Sequence, residues 1–226
     1  MRLYLSSYRF GSAVDRLAAL VPAGARVAVV SNALDLIPDE SRRSYARNVH
    51  DPLADLAEMG LSPFDLDLRR WFGDAAGLER ELADVQMVWA VGGNTFLLRR
   101  AMAQSGLDAV LHRRLADDSI AYGGWSAGAC VAGSALCGID LMDAPDEVAA
   151  GYDPAPIYDG LALVDFVIVP HFASDHPEAD AATVAAAWLA ERDIPHRTLR
   201  DGEAIVRVGE AMEVVGRQSP VVTSPL

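Results

Sequence analysis

Short apolar runs alternate along this chain with stretches in which apolar residues recur every three or four positions. Residues 3–5, 27–30, 64–66, 85–90, 120–122 and 166–169 are short segments, apolar except for Asp65 and Gln86, and read as strands buried on both faces. Between them, residues 12–20, 41–59, 74–82, 95–104 and 108–115 carry one-sided apolar stripes, which predicts amphipathic helices. The alternation predicts an α/β fold, a three-layer, doubly wound, mostly parallel sheet with helices on both faces.

Three later segments change the rhythm. Residues 140–159 mix Asp, Pro, Gly and Ala without either period and predict a long loop. Residues 177–192 are rich in alanine behind Pro177, which suits a helix with proline in its first turn. Apolar alternation over 198–215 around Val208-Gly209-Glu210 predicts a C-terminal β-hairpin. No repeat or linker interrupts the pattern, so one domain spanning residues 1–226 is expected.

At 226 residues and 51% hydrophobic content, the chain has ample material for a buried core. A formal charge of −13 argues against nonspecific binding to nucleic acid or anionic membranes and favours small or soluble partners. The absence of lysine carries no functional weight. Cys130 and Cys137 are too few and too close for a disulfide framework, and no segment has the length and hydrophobicity of a signal peptide or membrane span. The expected setting is the cytoplasm. The apolar residues at 220–226 leave a homodimer open.

Gly124-Trp125-Ser126-Ala127-Gly128 follows a predicted strand and matches G-x-S-x-G, in which a serine is displayed on a strained strand-to-helix turn. The N–H of Ala127, at the start of the next helix, is placed to stabilise an oxyanion. A plain Gly/Ala packing turn fits the pentapeptide equally well. Gly92-Gly93-Asn94 follows another strong strand, and a Gly92 or Gly93 N–H is a candidate second donor. Asn94 either caps the following helix or meets substrate.

A serine nucleophile needs a base. Of the five histidines, His50 and His112 lie in predicted helices among charged residues and read as surface groups, as does His196. His171 differs, because it follows the apolar run 166–169 and so belongs at the strand edge where Ser126 is expected. Asp175-His176-Pro177-Glu178 reads as a polar helix start, serving as a cap or as a substrate contact. Asp140, Asp143, Asp146 and Glu147 are available acids, and spacing does not choose among them.

The ordered set strand-GGNTF, strand-GWSAGA, strand-PHF resembles the peptidase E family, or aspartyl dipeptidases, serine peptidases related to cyanophycinase, over most of the chain. The resemblance implies a class I glutamine amidotransferase-like, flavodoxin-like fold. It implies Ser126 as nucleophile, His171 as general base, and oxyanion donors from Gly92, Gly93 and Ala127. The family's acid corresponds to Asp140, with Asp143 as rival. Asn94, Asp175, His176 and Glu178 are the expected substrate contacts. The implied reaction is hydrolysis of a dipeptide or short peptide through an acyl-enzyme, with no metal or organic cofactor.

The family's Asp-X members are expected to hold the aspartate with an arginine in the helix after the histidine. Residues 181–191 contain none, and a desolvated carboxylate needs a cation or several donors. Other readings are an amidase or esterase sharing G-x-S-x-G, and an inactive small-ligand-binding domain. A glutaminase normally places a thiolate at the elbow, whereas Cys130 lies one turn beyond it and reads as a small packed residue.

Overall fold

The structure is a computed structural model and describes residues 1–216. The segment 220–226 therefore lies outside the described residues. Among the described residues nine strands form, β1 (Arg2–Ser6), β2 (Arg26–Val30), β3 (Ser62–Asp65), β4 (Met87–Ala90), β5 (Ala121–Trp125), β6 (Val167–Val169), β7 (His196–Thr198), β8 (Ala204–Val208) and β9 (Ala211–Val215). Seven make one sheet in the order β3-β2-β4-β5-β1-β8-β9. Its first five members are parallel, and β8 and β9 continue it antiparallel as the expected hairpin.

Side chains on the central strands alternate between two cores, as the two-residue period of a strand requires. Leu3 and Leu5, Ala28 and Val30, and Val88 and Ala90 enter one core. Tyr4, Val27, Val29, Met87 and Trp89 enter the other. The first face is covered by α4 (Ala75–Glu81), α5 (Thr95–Ser105) and α6 (Leu107–Ala116), and the second by α1 (Val14–Ala18) and α3 (Pro52–Glu58). A short helix, α7 (Ala127–Cys130), leaves the end of β5. Among the described residues no helix is long and apolar enough to cross a membrane.

The helix expected over 41–59 is two helices, α2 (Asp39–Asn48) and α3. Asp51 accepts hydrogen bonds from the N–H groups of Leu53 and Ala54, and Pro52 occupies the first turn. This cap starts a new helix and ends the old one. His50, expected at the surface, falls at that break and is buried, with its Nδ1 3.0 Å from Asp55 Oδ2.

The strand expected at 166–169 does not join the main sheet. It forms β6, paired in parallel with β7. Together with α8 (Ala179–Ala190) and the end of α7 it builds a third core, containing Cys130, Val167, Val169, Ala182 and Leu189. Residues 140–159 contain one short 3-10 turn, Ile139–Leu141, and are otherwise irregular. Their carbonyls are held by α5. Arg100 donates to the carbonyls of Pro145, Pro154 and Ala155, and Arg99 to that of Asp159.

Candidate active site

Ser126 sits between β5 and α7 with φ +50° and ψ −114°, a conformation disfavoured for any residue with a Cβ. The chain tolerates it because the turn is locked on every side. The Ser126 N–H donates to the carbonyls of Ser6 (3.1 Å) and Ser7 (3.2 Å) at the end of β1. The Tyr122 hydroxyl donates to the Gly128 carbonyl at 2.7 Å. A Cβ on Gly128 would lie 2.2 Å from the Ala90 carbonyl oxygen, so the flanking glycine is required by close packing of α7 on β4. The packing reading of the motif thus holds.

His171 also has positive φ, +61°, and only 1% of its surface is exposed. Its Nδ1 lies 2.8 Å from Asp201 Oδ1. An ionised carboxylate only accepts, so Nδ1 is the donor in this contact, and the tautomer it selects for the neutral ring has its lone pair on Nε2. Burial pushes the Asp201 carboxyl up, but hydrogen bonds from His171 and Ser7 outweigh it and hold the group below the usual carboxylate range.

Ser7 ties these groups to the serine. Its carbonyl receives the Ser126 N–H, and its hydroxyl accepts the His171 N–H at 2.8 Å and donates to Asp201 Oδ1 at 2.8 Å. One buried residue at the end of β1 thereby positions the hydroxyl-bearing turn, the imidazole and the carboxylate. Asp201 is fixed again by its own N–H, which donates to Ser174 Oγ at 2.8 Å.

Neither acid named from the sequence touches His171 in this way. Asp140 is exposed and accepts the N–H of Gly138 two residues back (2.8 Å), a local turn bond. Asp143 accepts the Thr95 N–H at 2.9 Å. Burial raises its carboxyl to about 6; hydrogen bonds from Thr95 oppose the rise and the nearby Glu178 carboxylate adds to it.

The remaining expected residues divide. The N–H groups of Gly92, Gly93 and Ala127 find no acceptor among the described residues, which leaves them free for a ligand. Asn94 caps α5 through the Leu97 N–H and donates to the Ala144 carbonyl, so its amide is occupied at both ends. Asp175 is exposed. His176 stacks on His171 with ring centroids 3.7 Å apart and planes at 7°, and the Tyr8 ring meets both imidazoles and Trp125 edge-on. Glu178 Oε2 stands 3.8 Å from His171 Nε2. Cys130 is buried, its Sγ 3.4 Å from the Ile168 carbonyl and its thiol pushed well up by burial, which suits a packed residue and not a nucleophile.

His171, His176 and Glu178 each offer a metal-ligand atom within 4.8 Å of the others. Stacked imidazoles aim their in-plane lone pairs in parallel instead of converging, and His176 Nδ1 already accepts the Glu178 N–H at 3.2 Å. The trio does not form a tetrahedral chelate as it stands.

The model of peptidase family S51 matches residues 9–215. Peptidase E of Streptomyces coelicolor is 29% identical over 195 residues, covering 84% of this chain and 71% of that protein. A probable alpha-aspartyl dipeptidase of Drosophila melanogaster is 26% identical over 183 residues, covering 76% and 70%. Matches to curated relatives span between 53% and 71% of their lengths. The crystal structure of a peptidase E protein from Listeria monocytogenes shares the fold, with TM-score 0.77, 22% identity and coverage of 96% of this chain and 98% of that one.

Proposed function

Because the chain belongs to peptidase family S51, we propose that it is a serine peptidase acting on dipeptides or short peptides through an acyl-enzyme on Ser126. The supporting observation is the Ser7-centred arrangement, which holds the Ser126 turn beside an imidazole whose Nδ1 is engaged by a carboxylate. In this reading Ser126 Oγ attacks the carbonyl carbon while His171 Nε2 takes the hydroxyl proton. Asp201 keeps the imidazole in the required tautomer and stabilises the imidazolium. The tetrahedral oxyanion receives the Ala127 N–H and one from Gly92 or Gly93. His171 returns its proton to the leaving amine, and water then cleaves the ester by the reverse sequence.

In the same reading Glu178, whose Oε2 stands 3.8 Å from His171 Nε2 at the start of α8, receives the free α-amino group of a short peptide, with His176 shaping the same wall. Asp-X cleavage, the activity named for the Drosophila relative, calls for a cation that α8 does not supply. Hydrolysis of a dipeptide library tests the reading, with Ser126→Ala as the control. Turnover abolished by that substitution is expected; turnover that survives it would refute the assignment.

A further inference from the structure

Next to the serine turn, the carboxyl edge of the sheet holds a cavity of about 310 Å³. Ser31 and Asn32 after β2, Leu66 after β3, Val91 after β4 and Trp125 at the end of β5 contribute to its lining, so it opens on the edge that displays Ser126. Ligands of open α/β sheets gather along that edge. The volume is at the small end of ligand pockets and suits one large side chain.

Three observations say what fits. First, α2 lies over the cavity yet buries none of its residues. Asp39, Arg42, Arg43 and Ala46, one face of that helix, line the cavity. Short helices take most of their stability from packing an inward face, and here that face meets open space. Second, Trp125 forms the wall next to the nucleophile. A Cβ on Gly92 would lie 2.6 Å from its ring, so the indole is laid across the glycine turn assigned to the oxyanion.

Third, the guanidinium groups at the rim are already matched. Asp35, with 2% of its side chain exposed, takes Arg42 at 3.2 Å and Arg69 at 3.4 Å. Arg42 also pairs with Asp39, Arg69 with Asp67 and Arg43 with Glu40. Asp65 lines the same cavity and enters no ion pair among the described residues; burial and the neighbouring Asp67 hold its carboxyl above the usual range. His50, which also lines the cavity, is engaged by Asp55 at 3.0 Å. Asp51 of the lining, like Asp65, enters no ion pair among the described residues, so an incoming carboxylate meets no unpaired guanidinium and two acidic groups without a cation.

We infer that this cavity receives a bulky, uncharged apolar side chain from a residue flanking the scissile amide and discriminates against acidic side chains, an assignment that rests on Ser126 as nucleophile and supplies the substrate class.

Calorimetric binding to the Ser126→Ala protein tests it, using Phe-Ala, Leu-Ala, Asp-Ala and Ala-Ala together with the reversed sequences. In at least one position Phe or Leu is expected to bind at least about tenfold tighter than Asp. Ala46→Phe in the same background, filling the cavity from a helix with no buried residue, is expected to erase that advantage and change Ala-Ala binding less than about twofold. Leu53→Trp, filling it from α3, should act alike and covers the case in which Ala46→Phe does not fold. Asp peptides binding as tightly as Phe and Leu peptides, or filling substitutions that weaken every peptide equally, would overturn the assignment. Turnover by the unsubstituted protein separates the two ideas. Turnover without the apolar preference sinks the cavity alone, while the binding preference without turnover sinks only the hydrolase reading.

Discussion

Asp143 is expected to make the protein less stable as the pH rises, and its removal should show this directly. Its carboxyl accepts the Thr95 N–H and lies near Glu178 and His171, but burial raises its pKa from 3.8 to about 6. The folded chain therefore holds this proton more tightly than the unfolded chain. The stabilising contribution is complete below the unfolded value and is lost as the pH climbs through the folded one. A rise of roughly two pH units, at about 1.4 kcal/mol for each, sets an upper magnitude of about 3 kcal/mol. The amide introduced by Asp143→Asn would be neutral throughout and can still accept the Thr95 N–H. This substitution should then stabilise the protein by about 1–3 kcal/mol at pH 8, by roughly half that at pH 5, and negligibly below pH 4. Urea unfolding of both proteins across this range measures the difference. A variant less stable than the parent at pH 8, or a difference that stays constant from pH 5 to 8, would refute the reasoning. Either result would mean that the charged carboxylate has a stabilising partner.

Asp201→Asn should lower kcat by about 10³- to 10⁴-fold with KM little changed, since it removes the group that fixes the histidine tautomer; Asp140→Asn should leave both within about twofold. Ser7→Ala should lower kcat by roughly 10- to 100-fold, because the hydroxyl holds both His171 and Asp201. It should also raise the depressed Asp201 pKa. The stability that Asp201 contributes is present above its unfolded pKa and is lost as the pH falls through its folded one, so in the variant less stability is lost on acidification and the loss is complete at a higher pH, measurable by acid denaturation. Gly128→Ala should cost about 2–3 kcal/mol in urea unfolding, because its methyl group would meet the Ala90 carbonyl oxygen.

The legible parts of this molecule were those specified by local pattern. The cores of β2 and β4 are apolar runs buried on both faces, and any folded arrangement must cover them. The end of β5 was harder to see, because Gly123 and Gly124 have no side chains to mark a strand; pairing with β1 and β4 on both sides keeps them extended. The break between α2 and α3 was written in Asp51-Pro52, but apolar periodicity ran through it and masked the cap. Glycines and a buried strand announce the positions of Ser126 and His171 just past strand ends, which is where both stand, after β5 and after β6.

Asp201 was not visible, for a topological reason. It stands thirty residues after His171, in an Asp-Gly turn that reads as ordinary loop chemistry. It reaches the histidine because β7 runs parallel to β6, so the residues that follow each strand emerge at the same end. The Leu199 N–H on the Val169 carbonyl and the Phe172 N–H on the Leu199 carbonyl extend that register to the site. Partner choice between two three-residue strands has no local signal. An acidic turn after the strand following the histidine was the available clue.

Labelling by a fluorophosphonate, read by intact mass and peptide mapping, tests the central claim most directly. The account predicts a single adduct on Ser126, absent in Ser126→Ala, formed at least about a hundredfold more slowly in Asp201→Asn and at the parental rate in Asp140→Asn. An adduct elsewhere, or equal rates in the parent and Asp201→Asn, would contradict it.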